Sequence, residues 1–316
     1  MKVFRNRNEL KNLKPSAIAL GNFDGIHKGH QTLIGACIES AKSLDLVSSV
    51  FTFSNHPTNV IAGETVIKNI ITFDEKAHIL EKMGIDCLFS FAFDQSIRTS
   101  TPDDFCRDLL FGALKMKEAF CGFNYHFGYR AKGNPDTLRQ IGTELGYGVT
   151  VLPPVEIEGE VVSSTLIRKA VDEGNLDRYR LFTGRRYALV GHVIEGRRFG
   201  RTLGFPTINL ALDLSMALPP NGVYLTRTIV ERKHYDSITN VGQKPTVGLF
   251  AKNAETHIFD FDRDIYGMDV RVQFIELLRE ERTFSSIEQL TVQIENDCIT
   301  ARKLHQERRR NRHEIC

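Results

Sequence analysis

The spacing of apolar residues changes near residue 183, and this change constrains the fold more than any other feature of the sequence. Before that point, short apolar strand patterns alternate with helical patterns. The strand patterns lie at 17–20, 47–53, 87–91, 119–123 and 149–152, and the helical patterns lie at 28–44, 74–83, 102–114 and 135–145. Strands that alternate with helices predict βαβ units, and therefore an α/β Rossmann-like domain with a parallel sheet.

After residue 183 the chain is dominated by strand patterns, many of them alternating apolar and polar residues. These patterns lie at 187–194, 222–230, 234–241, 256–261 and 270–277, and one long helical pattern follows at 285–305. This order predicts an antiparallel β-barrel closed by a C-terminal helix. We therefore expect a first domain at 1–183, a second at 184–307 and a basic tail at 308–316.

Length, charge and cysteine content agree with this division and exclude several classes of protein. A chain of 316 residues exceeds the usual size of one domain. A net charge of +2 lacks the basic field typical of nucleic-acid binding, so no nucleic-acid partner is expected. The sequence shows no signal peptide, no run of about 20 apolar residues and no C-x-x-C pair. We expect a cytoplasmic protein with reduced cysteines and no membrane partner, and the oligomeric state is left open.

The strongest local signal is the segment GNFDGIHKGH at 21–30, which follows a predicted strand and begins a predicted helix. Gly21 and Gly25 permit a tight turn. His27 and His30 are three residues apart and share one face of the helix start, where free N–H groups favour a phosphate. Two surface histidines are the simpler interpretation, but their place after a glycine-rich turn predicts a phosphate cradle.

A second helix start carries hydroxyl side chains and an arginine in the segment SSTLIR at 163–168. Three hydroxyls at a helix N-terminus can bind phosphate oxygens together with the backbone N–H groups. Arg168 adds a fork that is suited to phosphate. The same residues also make an ordinary helix cap, so the interpretation depends on the neighbouring histidine segment.

An arginine-rich stretch lies at the start of the predicted barrel. It contains Arg185, Arg186, Arg197, Arg198 and Arg201 with only Glu195 opposing them, and it is interrupted by Gly196, Gly200 and Gly204. A flexible loop of this kind can fold over phosphates, although solvated loop arginines would look the same. Thr207 and Asn209 follow on an extended segment, where residues two apart face the same way. Hydroxyl and amide oxygens are hard ligands that suit Mg²⁺.

In the first half, these motifs resemble one family. The segment at 21–30 resembles the H-x-G-H signature of nucleotidyltransferases, in the version found in the prokaryotic bifunctional riboflavin kinase/FAD synthetase family. TFSNHP at 52–57 resembles the F-x-P-H-P motif of that family, with Asn55 where proline is usual. GFNYHFG at 122–128 resembles its flavin-pocket motif, and SSTLIR resembles S-S-T-x-I-R.

The resemblance implies the following roles in the first domain. Catalytic roles fall to His27, His30 and Arg168, nucleotide contacts to Gly21, Phe23, Asp24, Gly25, Ser163, Ser164 and Thr165, and flavin contacts to His56 and Asn124. In that family, this domain transfers AMP from ATP to FMN. The FMN phosphate attacks the α-phosphorus in line, so no strong base and no covalent intermediate are required.

The second half resembles the riboflavin kinase part of the same family. GRTLGFPTIN at 200–209 resembles G-R-x-L-G-F-P-T-A-N with Ile208 in place of alanine, and ETHIFDF at 255–261 resembles E-x-H-x-x-D-F. The resemblance implies nucleotide contacts at Gly200, Arg201 and Gly204, metal ligands at Thr207 and Asn209, a general base at Glu255 and a flavin contact at Arg279.

The resemblance spans roughly residues 16–302 and implies a bifunctional enzyme. The second domain would convert riboflavin and ATP to FMN, and the first would convert FMN and ATP to FAD. ATP, riboflavin, FMN and FAD are the expected substrates and products, with Mg²⁺ bound alongside ATP. Two alternatives stay open: a chain that retains only one activity, and a non-catalytic flavin-binding regulator.

Overall fold

The computed structural model describes residues 1–196, 200, 203–213, 215–246 and 249–313, of which 243–246, 249–252 and 312–313 are described by their backbone alone. The chain divides into two units, Met1–Ile167 and Arg168–Cys316. This division falls earlier in the chain than the expected domain boundary at 183/184, which stays a prediction. The two units are described separately below.

The first unit consists of parallel strands and the helices that connect them. Its strands are β1 (Lys2–Phe4), β2 (Ser16–Leu20), β3 (Val47–Phe53), β4 (Cys87–Phe91), β5 (Met116–Gly122), β6 (Gly148–Leu152), β7 (Glu156–Ile157) and β8 (Glu160–Val161). Its helices are α1 (Lys28–Ser43), α2 (Pro57–Ala62), α3 (Phe73–Met83), α4 (Gln95–Thr99), α5 (Pro102–Asp104, continued by a π-helical segment at Phe105–Ala113), α6 (Pro135–Leu145) and the start of α7 (Ser164–Asp172). Strands β7 and β8 form a separate antiparallel hairpin.

The six main strands form one parallel sheet in the order β1-β4-β3-β2-β5-β6. Strand β2 is central, and all five of its residues are buried. Connections leave β2 toward β3 on one side, and the chain later returns to its other side as β5. In an open α/β sheet, the crevice at such a reversal, beyond the carboxyl ends of the strands, is where ligands bind. The predicted Rossmann-like fold is confirmed.

Local sequence signals explain where the helices begin and end. Thr101 forms a capping box with Asp104 ahead of α5, and Thr72 caps α3 by accepting the N–H of Glu75. Gly84 and Gly146 end α3 and α6 in the left-handed region, with φ of 95° and 74°. These glycine ends agree with the predicted ends of both helices.

The second unit contains the remainder of α7, a further helix, the barrel and a C-terminal helix. Its other described elements are α8 (Leu176–Thr183), β9 (Ala188–Ile194), β10 (Ile208–Leu210), β11 (Gly222–Val230), β12 (Lys233–Thr246), β13 (Leu249–Ile258), β14 (Asp269–Glu280) and α9 (Ile287–His313). The strands close into a barrel in the order β10-β13-β12-β11-β14-β9. All pairs are antiparallel, and β9 pairs with both β14 and β10. The predicted barrel with its C-terminal helix is confirmed.

Helix α9 is fastened to the barrel by polar side chains. His305 is buried, with Nε2 lying 3.2 Å from the carbonyl oxygen of Ser237 in β12. The helix extends beyond its predicted end at 305, so Arg308 lies within it and pairs with Glu276 of β14 at 2.8 Å. Among the described residues, no helix has the length and apolar character that a membrane crossing requires.

Candidate active sites

A cavity of about 880 Å³ lies at the carboxyl ends of β2 and β5 in the first unit. It brings together many of the residues that the sequence predicts for one site: Gly21, Phe23, His27, His30, Asn124, Ser163, Ser164 and Thr165. Residues from distant parts of the sequence thus converge on the crevice that the sheet topology indicates. The cavity is large enough for a drug-sized ligand or larger.

The turn after β2 has a backbone that few residues adopt. Phe23, Gly25 and Ile26 have φ values of 49°, 76° and 35°. Asp24 is buried, and its Oδ1 accepts the backbone N–H of Ile70 at 2.9 Å. Asp24 therefore anchors the turn, and neither Asp24 nor Gly25 lines the cavity, whereas Gly21 and Phe23 do.

The two histidines of the turn are stacked, with ring centroids 3.6 Å apart. His27 caps helix α1, because its Nδ1 accepts the backbone N–H of His30 at 3.2 Å. A backbone N–H can only donate, so in the neutral ring the proton of His27 sits on Nε2. Burial, followed by the charges of His27 and Lys76, holds the pKa of His30 well below its usual range. His30 therefore offers a neutral ring beside His27.

His30 has a polar atom that the protein leaves unsatisfied. Its Nδ1 is buried and has no hydrogen-bond partner within the described part of the chain. An unpaired buried polar atom costs free energy unless a ligand or water supplies the missing bond. The geometry at His30 therefore fits a site that is completed by a polar ligand.

The start of α7 contacts the turn after β2 directly. Ser163 caps α7 by accepting the N–H of Leu166 at 3.2 Å, and Ser164 Oγ donates to the carbonyl oxygen of Asp24 at 2.8 Å. Helix cap and phosphate-site interpretations are thus compatible, because the capping residues also line the cavity. Arg168 is one turn further along α7 and is the first residue of the second unit, so its role stays a prediction.

The aromatic residues after β5 divide into two groups. Tyr125 stacks on Phe127 at 5.6 Å, and Phe127 is buried against the sheet. All four rings line the cavity, but Phe123 and Tyr129 keep 48% and 38% of their surface exposed. These two rings, beside Asn124, are the more exposed aromatic surfaces of this segment. The sequence indicates aromatic contacts here, but it does not show which rings are packed and which stay exposed.

His56 lies in a different place from the other predicted residues of the first domain. It caps α2 and lines a neighbouring small cavity with Asp24, Asn55 and Lys76, and it is not among the residues that line the large one. Asn55, which replaces the usual proline, accepts the backbone N–H of Phe93 at 2.7 Å. The predicted flavin contact of His56 therefore stays a prediction.

Lys76 is a residue of this region that the sequence patterns do not indicate. Its Nζ donates to the carbonyl oxygen of Asn22 in the turn at 2.8 Å. Burial lowers the pKa of Lys76 to about 8, and the charge of Asp24 partly opposes that shift. The turn is therefore held by an ammonium group from α3 as well as by Asp24.

The second candidate site lies on the barrel where β10 and β13 pair. Asn209 of β10 is directly opposite Glu255 of β13, so the predicted metal ligand and predicted base share one face. Asn253 lies two residues before Glu255, and its Nδ2 donates to Glu255 Oε1 at 3.0 Å and to Asn209 Oδ1 at 3.2 Å. Sequence motifs do not cover Asn253.

Two glycines let the backbone pass close to the side chains of both predicted metal ligands. A Cβ added to Gly196 would collide with the amide of Asn209, and one added to Gly200 would lie 3.2 Å from Thr207 Oγ1. The Gly200 carbonyl accepts the N–H of Phe205 at 2.8 Å, and Gly204 has a φ of 85°. Arg201 lies outside the described residues.

The residues at this site fit Mg²⁺ by their chemistry. Hydroxyl and amide oxygens of Thr207 and Asn209 are hard ligands, and Mg²⁺ in such sites is completed by water and substrate phosphates. His257 holds the segment just before Thr207 in place, because its Nδ1 lies 2.7 Å from the carbonyl oxygen of Pro206. Burial lowers the pKa of His257, which favours the neutral ring at this contact.

Arg279 is engaged by the protein itself. Its guanidinium binds both carboxylate oxygens of Asp297 in α9, with Nη2 to Oδ2 at 2.7 Å, and the two side chains are 14% and 10% exposed. The pair joins β14 to α9. Its predicted contact with flavin stays a prediction, since the observed partners are structural.

Two family models match the chain, one for each half. The model described as FAD synthetase matches residues 9–166, and the model described as riboflavin kinase matches 183–305. Both units therefore belong to a class of nucleotide-using flavin enzymes, and their order along the chain agrees with the order of the two sites.

Curated relatives match over nearly the full length. The bifunctional riboflavin kinase/FMN adenylyltransferase of Bacillus subtilis is 33% identical over 89% of this chain and 90% of its own. The protein of the same name from Haemophilus influenzae is 32% identical over 92% and 94%. This chain therefore belongs to the bifunctional riboflavin kinase/FMN adenylyltransferase family. A crystal structure named as a macrolide-efflux protein from Streptococcus pneumoniae has a TM-score of 0.83 and 31% identity, and it covers 95% of this chain and 98% of its own.

Proposed function

We propose that this chain converts riboflavin and ATP to FMN and ADP in the barrel domain, and FMN and ATP to FAD and pyrophosphate in the α/β domain. Both reactions would use Mg²⁺, in the cytoplasm, with a functional boundary near 183/184. The proposal is supported by one observation: in each unit, several of the residues that the family motifs predict for one site lie close together. The His27–His30 stack supports the first, and the Asn209–Glu255 pair supports the second.

In FAD formation, the nucleophile is already an anion, so the site has to position two phosphates and stabilise added charge. Nε2–H of His27 and the ring of His30 would donate to the transferring phosphoryl group. The hydroxyls at the start of α7 and the free N–H groups of α1 would hold the remaining oxygens. Phe123 and Tyr129 would cover the flavin ring, and no residue has to accept a proton from the nucleophile.

In FMN formation, the nucleophile is a hydroxyl and has to lose a proton. Glu255 would accept that proton as the ribityl oxygen attacks the γ-phosphorus of ATP and ADP leaves. Mg²⁺ held by Thr207 and Asn209 would neutralise charge on the phosphates. The glycines at 196 and 200 would let the loop backbone approach those phosphates closely.

Two separate assays test the proposal. FMN and FAD are quantified by chromatography after incubation with riboflavin, ATP and Mg²⁺, and FAD is quantified again with FMN supplied. We expect Glu255→Gln to reduce FMN formation by about 10²-fold to 10⁴-fold and to leave FAD formation from supplied FMN unchanged.

The same assays separate the alternatives. FMN that accumulates without FAD would mean that only the kinase activity is retained. Flavin binding without either product would favour a non-catalytic regulator. A Glu255→Gln variant that forms FMN at the wild-type rate would contradict the assignment of the base.

A further inference from the structure

Asn253 occupies the centre of the second site, although no family motif includes it. It lies on the same face of β13 as Glu255, because side chains two apart in a strand point the same way. Its single amide nitrogen contacts Oε1 of Glu255 at 3.0 Å and Oδ1 of Asn209 at 3.2 Å. One donor therefore connects the candidate base with the candidate metal ligand.

The polarity of these contacts fixes the orientation of two amides. A carboxylate only accepts hydrogen bonds, so Asn253 has to turn its nitrogen toward Glu255. The same nitrogen faces Asn209, which therefore presents its oxygen and not its nitrogen. A flip of the Asn209 amide would place two N–H groups against each other. The Glu255 carboxylate thus determines the orientation of the Asn253 amide. That orientation in turn requires Asn209 to turn its oxygen toward Asn253.

We propose that Asn253 is a positioning residue of the kinase site, whose amide nitrogen holds the Asn209 oxygen in the orientation needed for Mg²⁺ bound with nucleotide phosphates. This inference rests on the proposed kinase function. Asn253 acts through its two neighbours rather than on the reacting atoms. Groups that orient metal ligands in this way typically change metal affinity or activity by 10-fold to 100-fold when they are lost.

Two variants of the full chain remove the amide donor. Asn253→Leu keeps most of the side-chain volume. Asn253→Ala only removes atoms, so the alanine variant provides the test if the leucine variant does not fold. The matched control is Asn296→Leu, which makes the same exchange at an exposed position of α9. Adenylylation of supplied FMN is the internal control for the first domain.

Two measurements follow the Mg²⁺ dependence. The first is the Mg²⁺ concentration that half-saturates FMN formation, together with the KM for riboflavin. The second measurement does not depend on catalytic turnover. Hydrogen exchange of the peptide at 203–213, with ADP present and Mg²⁺ titrated, reports binding at β10 and its flanking residues.

We expect both half-saturating Mg²⁺ concentrations to rise about tenfold in the Asn253 variants. The KM for riboflavin, the Asn296→Leu control and FMN adenylylation should not change. An unaltered Mg²⁺ dependence in a folded Asn253 variant would overturn the inference while leaving the kinase function intact. A wild-type chain that forms no FMN would overturn the proposed function itself.

Discussion

Substitution of Gly25 by alanine tests the structure of the turn that holds the first site. The backbone of Gly25 has φ +76°, and a Cβ added there would lie 3.1 Å from Cδ1 and 3.3 Å from Cγ2 of Ile70. Gly63, at the end of α2, is a matched control: its φ is +75°, and no described heavy atom lies within 4 Å of an added Cβ. The two substitutions share the backbone cost, and only the first adds crowding.

The size of the destabilisation follows from the backbone cost and from the crowding against Ile70. A left-handed conformation costs an alanine about 1–2 kcal/mol relative to glycine. Ile70 is fully buried, so it has no open space to move into, and overpacking adds about 1–3 kcal/mol. We expect Gly63→Ala to lower the free energy of unfolding by about 1–2 kcal/mol and Gly25→Ala by about 2–5 kcal/mol.

The functional effect should be confined to one activity. A shift of the turn moves Phe23 and the start of α1 relative to the bound phosphates, which should slow FAD formation about tenfold to a hundredfold. FMN formation belongs to the barrel and should not change. Urea unfolding of both variants and the two product assays check this prediction. Equal destabilisation of both variants, or wild-type FAD formation by Gly25→Ala, would refute the assigned role of the turn.

Three further predictions concern single side chains. His30→Ala should suppress FAD formation and spare FMN formation in the product assays, and loss of both would contradict independent sites. Because the pKa of Lys76 is lowered to about 8, the unfolded chain binds more protons between pH 8 and about 10.4. Wild-type stability should therefore rise relative to Lys76→Met across that range, as measured by urea unfolding, and a difference independent of pH would contradict the buried environment. Asp297→Asn should cost the barrel about 3 kcal/mol, because Arg279 loses its charged partner; an unchanged urea midpoint would show that the pair is not stabilising.

Most of the fold can be predicted from the sequence, because the spacing of apolar residues along the chain indicates most of the strands and helices. The parallel sheet and the barrel follow from the spacing of apolar residues, and the glycines at 84 and 146 mark two helix ends. Strand β1 does not follow in this way, since Lys2–Phe4 is too short for a pattern and is held by its pairing with β4. Strand β13 begins at Leu249 instead of 256, because pairing with β12 extends it through residues that do not alternate.

The candidate sites are predictable only in part, for a related physical reason. Turns and helix starts impose special backbone geometry, and the residue types that permit it are visible in the sequence at 21–30 and 163–168. Side chains that meet through tertiary packing leave no such pattern. Lys76 reaches the turn from α3, and Asn253 of β13 reaches Asn209 on the neighbouring strand β10. Their roles require knowledge of which elements are neighbours.

The protonation state of His30 also has to come from the structure, and it bears on how a nearly neutral chain could bind polyphosphates. Residue types alone do not give the protonation state of His30. Its ring is buried and stacked 3.6 Å from that of His27, so burial, followed by the charges of His27 and Lys76, favours its neutral form. Neutral donors stabilise charge as it develops without binding the ground-state phosphate so tightly that the reaction gains nothing. A net charge of +2 is therefore compatible with the proposed phosphate transfer, which would rely on oriented dipoles and bound cations rather than on a field over the whole chain.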